Sequence, residues 1–167
     1  MKLYGLRAYI GYRWKSKDLH GVHSPFIYDL NQHVLHHTAG HELPEYDWLP
    51  PKYNRLVGKL MAYYNCHQVM VLPPEQDEEP EQKQDLLLLT ATFPGQWVSV
   101  FNRHKHLIKD NTIVAIAGIH GSKRHSAKWK RLYKHPKVRA SVDVYGMGLL
   151  FFRPELKEKQ HFVLRYK

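Results

Sequence analysis

HQVMVLPPEQDEEPEQKQDLLLLTAT, residues 67–92, holds two short apolar runs, 69–72 and 86–89, on either side of an acidic, proline-bounded segment. Uninterrupted apolar runs of this length between turn signals suit strands buried on both faces of a parallel sheet. In such sheets ligands bind beyond the carboxyl ends of the strands, where a glycine-rich loop after the first strand often cradles them. Here that loop position reads Pro73, Pro74, Glu75 and Gln76, and no glycine occurs between Gly58 and Gly95. The frame is that of a nucleotide-type binding fold, without its usual binding loop.

The chain on either side fits one α/β unit. Its 167 residues, 43% of them hydrophobic, suffice for one domain with a core. No apolar run approaches the roughly 20 residues of a membrane helix. The start, MKLYGLRAYIGYRWK, lacks the apolar core and small-residue cleavage site of a signal peptide. A cytoplasmic protein without a membrane partner is expected. The lone Cys66 excludes an internal disulfide and a cysteine-based metal site. It reads either as a reactive thiol or, more simply, as a small core residue at a helix end.

Formal net charge is +10, and five of the 15 acids (Glu75, Asp77, Glu78, Glu79, Glu81) fall within seven positions, so the remainder is more basic still. Such a balance fits a polyanionic partner such as RNA, and equally fits ordinary solubility.

Along the chain, residues 3–17 predict an amphipathic helix weakened by Gly5 and Gly11. Ser24-Pro25 marks a helix start, with Phe26, Ile27, Leu30, Val34 and His37 on one face and Gly40 as the stop. Pro50 and Pro51 precede a helix over 52–65 with Tyr53, Leu56, Val57, Leu60, Met61 and Tyr64 at 3–4 spacing. Residues 73–84 predict a solvated acidic loop. A helix is expected over 95–108, a buried strand over 112–116, and a strongly basic helix over 122–134 capped by Ser122. Strands are expected at 139–145, 149–153 and 161–166. The short connections between those last three predict antiparallel pairing.

At the ends of the chain the text resembles a known family. HGVHSPF at 20–26 and TIVAIAGIHGSKRHSAKWKRLYKHPKVRASVDVYGMGLLFFRPELKEKQHFVLRY at 112–166 are similar to a bacterial group of class I S-adenosylmethionine-dependent methyltransferase-like proteins. Residues 52–72 are similar to that group's helix and first strand. The resemblance implies one domain, 1–167: a helical cap over 1–51 and an α/β core over 52–167. It implies a truncated Rossmann-like sheet of about five strands, mainly parallel with a C-terminal antiparallel hairpin and with helices on both faces. The departures from the group lie at its functional positions. Its glycine loop is replaced by Pro73-Pro74-Glu75-Gln76. Two strand–helix units, one bearing the acid that binds the cofactor ribose, give way to 73–84. An Ile-Asp-Gly-like strand end becomes Thr90-Ala91-Thr92, and an aspartate pair becomes Ala117-Gly118. A metal-assisted transfer needs carboxylates there, because hard divalent cations prefer oxygen ligands.

The expectation is therefore a pseudoenzyme. No cofactor-binding or metal residue carries over, S-adenosylmethionine binding and catalysis are lost, and a structural or regulatory binding role remains. Two alternatives stand beside it: an active S-adenosylmethionine-dependent methyltransferase with a rebuilt pocket, and a basic RNA- or ribosome-associated protein. The catalytic candidates are His20, His23 and His120, since imidazole titrates near neutrality; the competing reading has them holding loop backbone. His33, His37 and His41 have helical metal-ligand spacing, though Gly40 interrupts the set. Lys123, Arg124, Lys128, Lys130, Arg131 and Lys134 form a candidate phosphate-binding face. Loss of the flanking strand units leaves the first strand at a sheet edge, a site for homodimerisation.

Overall fold

The computed structural model describes residues 3–16, 24–37, 46–73, 81–90 and 95–166. Residues 74–80 of the expected loop over 73–84, the candidates His20 and His23, His41 and the stop at Gly40 lie outside the described residues. Among the described residues five α-helices and six strands follow in the order α1 (Leu3–Lys15), α2 (Pro25–Leu30), α3 (Pro51–Tyr64), β1 (Val69–Leu72), β2 (Gln84–Leu89), α4 (Trp97–His104), β3 (Ile108–Ala117), α5 (Lys123–Tyr133), β4 (Ala140–Asp143), β5 (Met147–Phe151) and β6 (Gln160–Val163). The class is α/β, built on one mixed sheet in the order β1-β2-β3-β5-β4-β6.

The leucine run of β2 shows why this sheet forms. Strand residues alternate between faces. Leu86 and Leu88 point into one core with Leu56, Val57 and Leu60 of α3 and Ile27 and Leu30 of α2. Leu87 and Leu89 point into a second core with Trp97 and Phe101 of α4 and Trp129 and Leu132 of α5. A strand sandwiched between two helical layers must be apolar at every position, and 86–89 is. Helices cover both faces as expected.

Strand β1 pairs in parallel with β2, and β2 with β3. Strand β5 runs antiparallel to both β3 and β4, and β6 runs parallel to β4. Five strands thus point one way and β5 alone is reversed. The expected antiparallel hairpin is β4–β5. The final three strands alternate in direction as expected, but β6 pairs with β4, in parallel, and not with β5. Both edges of β5 are already occupied, so the chain leaving it passes β4 and pairs on the far side, parallel. The sheet has six strands rather than about five. β1 stands at its edge, and for that reason Val69, Met70 and Val71 are half-buried instead of enclosed.

Asp85 staples the amino ends of the parallel strands. Its Oδ2 accepts the N–H groups of His67 and Gln68, each at 2.8 Å, and Oδ1 pairs with Lys109. Burial alone would raise the Asp85 pKa; the Lys109 hydrogen bond and charge and the two backbone donors outweigh it and hold the carboxyl below its usual range.

Two helices depart from expectation. The second helical segment does not run to Gly40: α2 passes into a π-turn over Asn31–Leu35 and stops there, leaving His37 exposed beyond its end. Ser24 occupies the N-cap position, but its side chain makes no capping hydrogen bond. Helix α1 spreads its apolar residues and its charges, Arg7, Arg13 and Lys15, around the circumference instead of segregating them as an amphipathic helix would. Tyr4, Ala8, Gly11 and Tyr12 face a cavity in the fold, and the hydroxyls of Tyr4 and Tyr12 reach Ser126 Oγ and Leu164 O, while Leu6, Ile10 and Trp14 face solvent, Trp14 at 88% exposure.

Candidate functional site

β3 and β4 run in the same direction with β5 between them, so their carboxyl ends lie on one edge of the sheet. After Ala117 the chain turns through Gly118, whose φ of 72° favours a residue without a Cβ, and whose N–H donates to Gly146 O at 2.7 Å. That turn carries His120 across the end of β5 to Asp143, the last residue of β4. His120 Nε2 lies 2.7 Å from Asp143 Oδ2, and His120 Nδ1 lies 2.9 Å from Ser126 Oγ in the first turn of α5. Tyr4 of α1 donates its hydroxyl to Ser126 Oγ at 2.9 Å. A tyrosine, serine, histidine and buried aspartate thus form one relay joining α1, α5, the β3 turn and β4.

The aspartate is fully engaged. Its Oδ1 accepts the N–H of Tyr145 at 2.8 Å, and only 7% of the side chain is exposed. Tyr145 adopts φ of 71°, a strained value for a residue with a side chain. Its ring stacks on His120 at 5.6 Å and meets Tyr9 and Tyr12 of α1 at 5.2 and 5.3 Å. Strain at Tyr145 is offset by the carboxylate that holds its N–H and by the aromatic contacts that hold its ring.

Beside this relay lies a cavity of about 370 Å³ between α1 and α5, over β4 and β6. Tyr4, Tyr12, Trp129 and Tyr133 contribute its aromatic walls, His120, Ser126 and Asp143 its polar floor, and Lys15 and Lys130 its two ammonium groups. His161 of β6 completes it, stacked on Tyr133 at 4.0 Å between ring centres, with Nδ1 2.8 Å from Ser141 Oγ. Burial pushes the Tyr12 phenol well up, so it stays protonated and donates to Leu164 O. Chemically, a histidine between a carboxylate and a hydroxyl can accept a proton from that hydroxyl or from a ligand group in its place.

Burial also pushes the His161 imidazole down, with Asp143 partly opposing and His120 and Lys15 reinforcing. His135, held by burial and by Lys105, Lys159 and Lys137, is lowered too. A histidine whose folded pKa is depressed favours the neutral state in the fold. Its contribution is complete above the unfolded value of about 6.5 and is lost as pH falls below it. Asp85, also depressed, acts in the same direction at lower pH. The expected outcome is a urea midpoint that is flat from pH 8 to 7, declines below pH 6.5 and declines further below pH 4. A midpoint that rises on acidification would contradict it.

The placement of the sequence candidates is uneven. His120 sits at the carboxyl edge, as its position after the third strand implied. His33 and His37 border a separate depression with Lys59 and Tyr63, and His33 faces Asp29 at 3.6 Å and stacks on Tyr63. Among the described residues no three metal-ligating side chains converge. Ser122 caps α5 as expected, its Oγ accepting the N–H of His125. Cys66 is buried, and burial pushes its thiol up to about 11, which favours the core reading over a reactive one. Of the phosphate-binding set, Lys123, Arg124, Lys130, Arg131 and Lys134 are exposed and Lys128 is half-buried. Helical spacing splits them into two stripes, Lys123-Lys130-Lys134 and Arg124-Lys128-Arg131. Lys130 of the first stripe lines the cavity.

Sequence reasoning missed Asp143, Ser126, Tyr4 and His161. One signal was present: an acid between Val142 and Val144 in a strand is out of place unless something pairs with it. Comparison with family models, with curated proteins and with solved structures finds no match.

Proposed function

We propose that this chain is a methyltransferase-type α/β domain that no longer binds S-adenosylmethionine or transfers methyl groups, and that it acts as a binding protein whose ligand seat is the His120 cavity. The observation that carries the reading is the end of β1. Leu72, at the carboxyl end of the strand, runs directly into Pro73 and Pro74, with no glycine before Gly95. A backbone that must approach a nucleoside needs residues without a Cβ and with free N–H groups; proline supplies neither. The reversed strand between two co-directional ones, together with the similar text at 20–26, 52–72 and 112–166, supports the truncated Rossmann-like frame. Isothermal titration with S-adenosylmethionine is expected to give no saturable heat up to millimolar ligand. Micromolar binding would sink the reading in favour of an active methyltransferase with a rebuilt pocket.

A second reading rests on the two exposed basic stripes of α5. Lys105 from the segment after α4 and Lys159 before β6 extend this charge, and both help depress His135. Such a face suits RNA, and affinity would then fall steeply with salt. Retention of a single-stranded RNA at low salt and its release at high salt would support this; indifference to salt would remove it. The edge of β1, unpaired among the described residues, also supports homodimerisation, which a monomeric mass by light scattering would contradict.

A further inference from the structure

We propose that the His120 cavity binds a small planar aromatic anion, with its ring among the tyrosines and its negative group against Lys15 and Lys130. The inference rests on the binding-protein reading and names the ligand class of that site. Three features of the cavity converge on it.

The first is charge. Asp143 is the acid of the cavity, and both its oxygens are already taken, by His120 and by the Tyr145 N–H. The remaining ionisable groups there are two imidazoles, two ammonium groups and phenols. The field left for a ligand is positive, so an anion is favoured and a cation is not.

The second is an unsatisfied donor. Trp129 is 2% exposed, and its indole N–H has no hydrogen-bond acceptor among the described residues. Buried donors are paired in the great majority of native structures, and an orphan marks a missing partner. Trp129 lines the cavity while the six-membered edge of its ring is packed over Gly148. The N–H itself is fully buried, so a carboxylate oxygen on a ligand supplies the missing acceptor once a small shift of the indole opens that N–H to the cavity.

The third is shape. Tyr4, Tyr12, Trp129 and Tyr133 give walls suited to an aromatic ring, which pairs edge-on or offset with such neighbours. A volume of about 370 Å³ is near the lower end for small-molecule pockets and suits one or two fused rings.

The test uses 2-naphthoate as probe and its uncharged isostere 2-naphthamide as control, following the Trp129 indole N–H by NMR on the full chain. A saturable shift with 2-naphthoate is expected, with 2-naphthamide at least about tenfold weaker. The exposed-residue double variant K15Q/K130Q is expected to keep the fold and lose about tenfold in naphthoate affinity. Equal affinity for the two probes, an unchanged affinity in the double variant, or no shift in the folded protein would each overturn the proposal. Calorimetric binding of S-adenosylmethionine would defeat the reading above. A naphthoate shift at Trp129 in that same sample would still uphold this one.

Discussion

Asp143→Ala is expected to lower the unfolding free energy by about 3 kcal/mol, because two donors lose their acceptor at once and each buried orphan costs about 1–3 kcal/mol. Those donors are His120 Nε2 and the Tyr145 N–H. The second loss is aggravated by geometry. Tyr145 holds φ of 71°, and without the carboxylate the turn between β4 and β5 is free to relax out of that strained region. The relay then fails along its length, since His120 orients Ser126 and Ser126 receives Tyr4 from α1. Asp143→Asn retains an acceptor for Tyr145 and is expected to cost about half as much. Urea unfolding checks both: the midpoint moves and the slope does not. A loss within about 0.5 kcal/mol of zero for the alanine variant would show that the relay does not hold the site together.

Gly148→Ala is expected to cost about 2–3 kcal/mol by overpacking. A Cβ at Gly148 would stand 2.7 Å from two ring atoms of Trp129 and 3.0 Å from a third. Neither side can yield cheaply. Gly148 is paired on both edges, with Ile116 of β3 and with Asp143 of β4, so its backbone is fixed by two ladders. The indole is buried and packed edge-on to Tyr133 at 5.4 Å. Trp129→Ala alone is expected to cost about 3–5 kcal/mol through the cavity it leaves. Combined, the two substitutions should cost less than their sum by about 1–2 kcal/mol, because the added methyl occupies part of the space the indole vacates. Strict additivity in the double-mutant cycle would mean that Trp129 does not lie over Gly148.

How much of this was legible beforehand depended on whether the signal was local. The run at 86–89 declared a strand covered on both faces because apolarity at consecutive positions has few other uses in a chain of this size. The helices over Pro51–Tyr64 and Lys123–Tyr133 were legible from 3–4 spacing and from proline and serine at their starts. Strand pairing was not local. Nothing in residues 160–163 says that β5 already has both edges filled, so parallel pairing of β6 with β4 could not be read from connection lengths. The candidate site failed to show for the same reason. His120 and Asp143 are 23 positions apart, and they meet only because a reversed strand places the ends of β3 and β4 on one sheet edge. Helix α1 misled in another way. Its apolar residues suggested a buried stripe, whereas the helix is anchored by the hydroxyls of Tyr4 and Tyr12 on Ser126 Oγ and Leu164 O and leaves Leu6, Ile10 and Trp14 exposed.

We propose that ligand binds in the cavity around His120 and not at the end of β1. Backbone amide mapping by NMR, with S-adenosylmethionine and 2-naphthoate titrated separately into the same labelled protein, tests it most directly. No response to S-adenosylmethionine is expected at Leu72 or Thr90, and a saturable response to 2-naphthoate is expected at His120, Ser126, Tyr145 and the Trp129 indole. Saturable shifts at Leu72 and Thr90 with S-adenosylmethionine, and none around His120 with either compound, would contradict it.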